Sequence, residues 1–193
     1  MFSPVSAVIA AAGLSGRMGK DKAMLAYGNG LCFAENLINC FSVYGCNPVV
    51  LVVNETFNSV QLKSCDFIPV INHKPDLGRS YSILIGLQSI PKGNCCFIQN
   101  ADNPFLEKQL LEILMEAIEP DSYAVPLFEG KRGHPVLLGK RVSEHLRKRP
   151  SFMDFREELK GFSRIEVPWP DKRILWNINT SEDYDRFMEE TRL

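Results

Sequence analysis

AVIAAAGLSGRMGKDKAML, Ala7 to Leu25, decides how this chain is read. It lies in a run from Val5 to Ala11 of mostly small, apolar residues without period-two alternation. A strand has that composition when both of its faces are buried, as in the middle of a parallel sheet. The run gives way at once to the glycines Gly13, Gly16 and Gly19, threaded with the cations Arg17, Lys20 and Lys22. Glycines at the carboxyl end of a buried strand let backbone N–H groups approach phosphate oxygens, and α/β folds place their ligands there. Two familiar phosphate loops do not fit. A dinucleotide fingerprint needs GxGxxG, and the spacing is Gly13-x-x-Gly16-x-x-Gly19. A P-loop needs four residues between its glycines, then Lys and Ser or Thr; here five separate Gly13 from Gly19, and Asp21 follows Lys20.

Outward from this loop the pattern alternates. Cys32–Tyr44 reads as a helix with Phe33, Leu37, Ile38 and Phe41 on one face. Pro48–Val53 and Phe67–Ile71 read as apolar strands, Ser80–Ile90 as a helix, Cys95–Gln99 as a strand and Leu106–Ile118 as a helix. That order predicts a doubly wound α/β sheet with right-handed crossovers, Val5–Ala11 and Cys95–Gln99 lying side by side at its centre. The last third is less regular. Tyr123–Leu127 and Pro135–Leu138 read as short strands around the polar tip EGKRGH, with helical stretches near Val142–Arg147 and Phe152–Leu159. A strand ending at WNIN and a helix over Glu182–Glu190, capped by Thr180 or Ser181, complete the expectation. With no repeat, low-complexity segment or linker, residues 1–193 read as one domain.

The composition is that of an ordinary globular protein, 45% hydrophobic and 23% charged, with a net charge of −1. It excludes broad electrostatic binding to nucleic acid or a membrane, so an anion site must be a local gathering of cations. No apolar stretch reaches the roughly 20 residues that span a bilayer. The six cysteines include no CxxC pair and no zinc-ligand spacing; they read as reduced thiols of a cytoplasmic protein.

Two further stretches carry chemistry. In FIQNADNPF, Asp102 follows a buried strand, where a carboxylate can hold a divalent cation; the same residues also make a good turn. In WNINTSEDY, Asn177 and Asn179 alternate, as on one face of a short strand, and could complete a cation site; Asn179 or Thr180 could equally cap the next helix.

Together these stretches resemble the MobA-like nucleotidyltransferases, most closely the MocA-type cytidylyltransferase branch. AAAGLSGRMGKDK is similar to the family's AAGxSxRMG signature with its nearby lysine, and NADNP to its metal-binding Asp-x-Pro. NHKPDLGRSYSILIGL, KRGHPVLLG and NINTSEDY resemble further segments of that branch, in the same order, from Val8 to about Phe187. The resemblance implies a three-layer Rossmann-like α/β fold with a mostly parallel sheet. It implies a Mg²⁺-dependent transfer of a nucleoside monophosphate, CMP from CTP, to a phosphorylated acceptor, with release of pyrophosphate. Ala11, Ala12, Gly13, Gly16, Gly78 and Ser82 would wrap the nucleotide. Arg17 would hold the β- and γ-phosphates, and Lys22 the α-phosphate and the incoming phosphate. Asp102 and Asn179 would carry Mg²⁺. Arg132 and His134 would face the acceptor. For His134 a positioning role is preferred, because a phosphate nucleophile is already ionised at neutral pH, with a general-base role as the alternative.

The chain departs from the MocA pattern in three places. KRPSFMDFREEL, without glycine, stands where a Gly-Asp-x-Gly-Ala-Arg-like segment is usual, which leaves molybdopterin, a sugar phosphate and an alcohol phosphate all open as acceptor. Asn177 replaces a common acidic residue, and Arg79 a common methionine. Outside catalysis, a regulatory nucleotide-binding module would keep the cradle, but it has no need of the Asp102 carboxylate. A Rossmann oxidoreductase is disfavoured by the glycine spacing.

Overall fold

The computed structural model describes residues 4–13, 22–28, 30–57, 62, 66–151 and 154–190. Strand β1 (Val5–Ala10) is buried at Ser6 to Ile9, as an uninterrupted apolar strand requires. A small hairpin of β2 (Ala26–Gly28) and β3 (Leu31–Cys32) leads into helix α1 (Phe33–Tyr44). The Glu35 carboxylate accepts the Cys32 backbone N–H at 2.8 Å to start that helix. Gly45, at φ 106°, ends it in the left-handed conformation that glycine adopts without strain.

Strands β4 (Val49–Val53) and β5 (Ile68–Ile71) precede helix α2 (Gly78–Gln88) and the wholly buried β6 (Cys95–Asn100). Helix α3 (Lys108–Ala117), strands β7 (Ser122–Phe128), β8 (Lys131–Arg132) and β9 (Val136–Leu138), and helices α4 (Lys140–Arg147) and α5 (Phe155–Leu159) follow. Strand β10 (Ser163–Pro168) and helix α6 (Ser181–Glu190) complete the described elements.

Among the described residues the large sheet has the order β10-β7-β9-β6-β1-β4-β5, with β8 beside β7. β8 and β9 run antiparallel to their neighbours and the other pairings are parallel, so the sheet is mostly parallel. β1 pairs with β6 from Val5↔Cys95 to Ala10↔Asn100. The pleat sends alternate residues of β1 into two cores. Ala7 and Ile9 pack with Leu37, Ile38 and Phe41 of α1 and Leu110, Leu111 and Leu114 of α3. Val8 packs on the opposite face with Ile83, Leu84 and Leu87 of α2 and Val142 and Leu146 of α4. The expected three-layer α/β architecture is the observed one.

A third cluster joins distant parts of the chain: Leu25, Phe33, Phe105, Ile178 and Phe187, flanked by Tyr27, Trp176 and Tyr184. Phe187 sits 5.1 Å from Phe33 and 5.3 Å from Phe105, centroid to centroid, in edge-on contacts. The Tyr184 hydroxyl donates to the Ala26 carbonyl at 3.0 Å. This aromatic clamp brings the segment before α6 back against the hairpin that follows the glycine loop.

The last third departs from expectation. WNIN is not in a strand: Trp176 to Asn179 is irregular, after a single 3₁₀ turn over Lys172–Leu175. The segment docks through isolated bonds instead of a ladder, Ile178 N–H donating to the Asp102 carbonyl at 2.7 Å. The strand is β10, whose Arg164 and Glu166 hid it, because an edge strand carries charge on its open side. The α5 helix begins at Phe155, with the Asp154 carboxylate accepting the Arg156 and Glu157 N–H groups. Thr180 caps α6: its hydroxyl accepts Asp183 N–H, and the Asp183 carboxylate accepts Thr180 N–H.

α2 lies very close to the sheet at Gly86. A Cβ there would overlap Val8 Cγ1 and come within 3.0 Å of Val52 Cγ2. Gly86→Ala gains about 1 kcal/mol of helix propensity but overpacks a close-packed layer at a cost of about 1–3 kcal/mol. We expect urea denaturation to show net destabilisation for Gly86→Ala and none for Gly161→Ala, whose Cβ would meet nothing within 4 Å. Equal midpoints for the two variants would show that α2 has room to shift.

Candidate active site

Two cavities open at the carboxyl end of the sheet and share a wall. The first, about 460 Å³, is lined by Ala10 to Gly13, Lys22, Ala23, Pro75, Asp76, Gly78, Arg79, Ser82 and Asn100 to Asp102. The second, about 550 Å³, is lined by residues of β6 to β10 and α5, His134 among them. Arg79 and Asn100 line both.

The parallel β1–β6 register makes the first cavity. Both strands end at the same height, so Ala11 to Gly13 and Ala101 to Asp102 leave the sheet side by side. Ala11 and Ala12 are buried, and a Cβ on Gly13 would meet nothing within 4 Å. Gly78, at φ 73°, turns the chain into α2 where a side chain would be strained. Ser82, on the next turn, is oriented by Asn72, whose amide donates to its hydroxyl oxygen at 2.9 Å. Asn72 in turn accepts Lys74 N–H at 2.7 Å. Ser82 itself lines the cavity.

Lys22 begins a 3₁₀ turn, and its Nζ donates to Asn179 Oδ1 at 2.7 Å, across the junction made by the aromatic clamp. The structure therefore brings Gly13, Lys22, Gly78, Ser82, Asp102 and Asn179 together. Gly16 and Arg17, with Gly19 and Lys20, lie outside the described residues. Asn177 is exposed, its amide donating to the Leu175 carbonyl at 3.4 Å, and it does not line the cavity.

Asp102 is only partly exposed, and its Oδ1 is buried without a hydrogen-bond partner. Burial pushes its carboxyl above the usual range, opposed by the charges of Lys22 and Arg79. Buried polar atoms are normally paired. Yet of the five described buried side-chain atoms with no partner, three belong to these cavities: Asn100 Oδ1, Asp102 Oδ1 and His134 Nδ1. Such a concentration marks a surface built for a ligand.

No three His, Cys, Asp or Glu among the described residues could hold a metal ion by themselves. Asp102 nevertheless fits a Mg²⁺-type cation, which takes one or two protein oxygens and completes its shell from phosphates and water. Asn179 could add an amide oxygen once Lys22 releases it.

His134 stands on the wall of the second cavity. Asn100 Nδ2 lies 3.0 Å from its Nε2, and its Nδ1 is buried without a partner. Burial, with the Arg79 and Arg156 charges, pushes its pKa down to about 4, so the ring is neutral at physiological pH. Arg132 lines the same cavity and pairs with Glu166 at 3.2 Å. The Ile174 carbonyl ties the region together, accepting His134 N–H and Asn103 Nδ2, each at 3.0 Å. Gly133 is required there, because a Cβ would lie 2.6 Å from that carbonyl oxygen.

Comparison with known proteins agrees with this fold. The model of the MobA-like NTP transferase domain matches residues 7–159. The chain belongs to the MobA-like NTP transferase family. A curated relative, molybdenum cofactor cytidylyltransferase of Escherichia coli (strain K12), is 25% identical over 186 residues, 95% of each chain. A nucleotidyl transferase from Methanothermobacter thermautotroptrophicus superposes with a TM-score of 0.78 at 21% identity, over 97% of this chain and 99% of that one. Rv0371C of Mycobacterium tuberculosis H37Rv, solved as a manganese complex, superposes with a TM-score of 0.74 at 16% identity, over 98% of this chain and all of that one. This MobA-like chain is a nucleotidyltransferase. Among its described residues no helix is long and apolar enough to cross a membrane. The five described cysteines are free thiols.

Sequence reasoning passed over three residues of this MobA-like site. Asn100 joins the two cavities and meets the His134 ring; Asn103 anchors the turn; Asn72 orients Ser82. The available signal was the polar ending of an apolar strand, FIQN, since a buried amide must be doing hydrogen-bonding work.

The low pKa of His134 has a consequence for stability. The unfolded chain takes up this proton near pH 6.5 and the folded chain only near pH 4. The contribution is therefore complete above about pH 6.5 and is lost as pH falls towards 4. We expect the unfolding free energy of His134→Gln, followed by urea melts between pH 7 and 4, to fall less steeply than that of wild type. Parallel slopes would show that the ring protonates freely in the folded state.

Proposed function

We propose that this chain transfers CMP from CTP to a phosphorylated small molecule, releasing pyrophosphate. One observation carries the proposal: unpartnered buried polar atoms gather where a cavity flanked by Lys22 and Asp102 meets a second, basic cavity. Two substrates held in adjoining rooms could react across the wall formed by Arg79 and Asn100.

In this scheme an acceptor phosphate oxygen attacks the α-phosphorus of the nucleotide. A new O–P bond forms, the bond from the α-phosphorus to the bridging oxygen breaks, and its electron pair leaves with pyrophosphate. The attacking phosphate is already an anion, so no protein base is needed. What the chain supplies is position and charge. Lys22 turns from Asn179 to the α-phosphate as negative charge shifts there. Arg17 is assigned to the β- and γ-phosphates from the motif alone. Arg79 faces both substrates, and neutral His134 positions the acceptor. A Mg²⁺-type cation held by Asp102, and by Asn179 once Lys22 has moved, would neutralise phosphate charge. Manganese in the mycobacterial relative is in keeping with such a site.

Cytosine is the base we assign, on three grounds: the Ala12–Gly13 turn, the Ser82 hydroxyl that lines the cavity, and the cytidylyltransferase relative. That relative's name also makes molybdopterin, and with it molybdenum cofactor biosynthesis, the first acceptor pathway to test.

Three outcomes are expected. Asp102→Asn should abolish pyrophosphate release and the thermal shift caused by Mg²⁺ or Mn²⁺. It should not destabilise the metal-free protein at pH 7, because it removes a buried charge that burial disfavours; near-normal turnover would make Asp102 a turn former. Lys22→Ala should lower kcat by about 10²–10³-fold, with a smaller change in KM; equal, small changes would make it a bystander. CTP should outperform GTP, ATP and UTP in binding and turnover, and a preference for GTP would overturn the base assignment.

A further inference from the structure

The second cavity holds more positive charge than one phosphate can use. Arg79, Lys131, Arg132, Arg156, Lys160 and Arg164 line it, against a single lining carboxylate, Glu157. Glu157 is committed to Lys160 at 2.7 Å. Glu166 is shared by Arg132 and Arg164, at 3.2 and 2.8 Å. None of Arg79, Lys131 and Arg156 forms an ion pair with a described carboxylate. Arg79 and Arg156 are close enough to disfavour each other: after desolvation, the Arg156 charge is the next cause that pulls the Arg79 guanidinium below its usual range. Unpaired cations held together in a concavity await an anion. The chain as a whole has a net charge of −1, so this is a local device, and a cavity of about 550 Å³ suits a small molecule rather than a polymer.

The cations divide by position. Arg79 also lines the nucleotide cavity, so it faces the phosphate that reacts. Lys131, from the β7–β8 hairpin, and Arg156, from α5, line the second cavity only. The same cavity offers Ile98, Val125 and Val136 as an apolar surface. We propose that the acceptor carries a second acidic group besides its reacting phosphate, on a carbon skeleton packed against this apolar surface, and that Arg156 and Lys131 recognise that group. The identity of the first anion as the reacting phosphate rests on the nucleotidyl transfer proposed above; the demand for a second anion rests on the charges alone.

The test compares ligands that differ only in that group. Butyl phosphate, 4-(phosphonooxy)butanoate and butane-1,4-diol bisphosphate are titrated calorimetrically into the full chain at 0.15 M salt. The same titrations are run on Arg156→Ala, Arg156→Lys and Lys131→Ala. Both side chains are exposed, and the α5 cap uses the backbone N–H of Arg156, so the variants should fold, as circular dichroism would verify. A charge-assisted contact predicts that a doubly acidic ligand binds wild type about tenfold or more tightly than butyl phosphate. The alanine variants should bring that ratio to within about threefold, and Arg156→Lys should retain most of it. The stronger of the two doubly acidic ligands tells whether the second group is a carboxylate or a phosphate. Equal affinity for all three ligands, no binding of any, or a ratio unchanged in both alanine variants would overturn the proposal. Pyrophosphate release from CTP is scored separately. Selective binding without release would sink the transfer reaction and leave the second anion standing, whereas release supported equally by butyl phosphate would do the reverse.

Discussion

The parallel pairing of β1 with β6 is the constraint on which the site depends. The strands match residue for residue from Val5↔Cys95 to Ala10↔Asn100. Helices cover both faces, so neither strand can slip by one residue without exchanging its two sets of buried side chains. That fixed register sets where each chain leaves the sheet. Gly13 and Asp102 share a cavity because Ala10 and Asn100 are partners, although almost ninety residues separate them. Gly86 serves the same arrangement from outside, letting α2 lie close enough on β1 and β4 to hold Gly78, Arg79 and Ser82 at the cavity edge.

The C-terminal segment is held by different physics. Among the described residues Trp176 to Asn179 has no ladder partner, and it is tied down by one backbone bond to Asp102, the Ile174 carbonyl bonds and the aromatic clamp. Burying Phe33, Phe105 and Phe187 in mutual contact ties α6 to the region after the glycine loop, and Asn179 then meets Lys22 as a consequence. Site assembly from three distant segments therefore needs apolar burial as much as hydrogen bonding.

Electrostatically the two cavities are complementary. In the first, the Asp102 carboxylate stands near Lys22 and Arg79, whose charges favour its ionised form while burial opposes it. Around the second, cations outnumber carboxylates and a buried imidazole is kept neutral. Each is a cost to the empty protein that bound ligands would offset, as is usual where pKa values are perturbed at a functional site.

Much of this was legible in the chain. The unalternating run Val5–Ala11 required a doubly buried strand, and the alternation of strands and helices required a layered α/β sheet. Glycines and cations after that strand pointed to phosphate, and the ordered motifs pointed to the family. These features are local: burial on both faces, helical periodicity and turn chemistry each leave a mark within about ten residues. β10, the β2–β3 hairpin and the irregular WNIN stretch were not legible, because edge strands and docked loops take their form from what lies beside them. Nor were the roles of Asn100 and the Ile174 carbonyl, or the excess charge of the second cavity. Arg132 was expected near the acceptor and Arg79 stood out from the family pattern, but Arg156 and Arg164 look like ordinary surface residues in the sequence. Only the folded sheet, by placing β7 to β10 beside β6, decided that they surround one space.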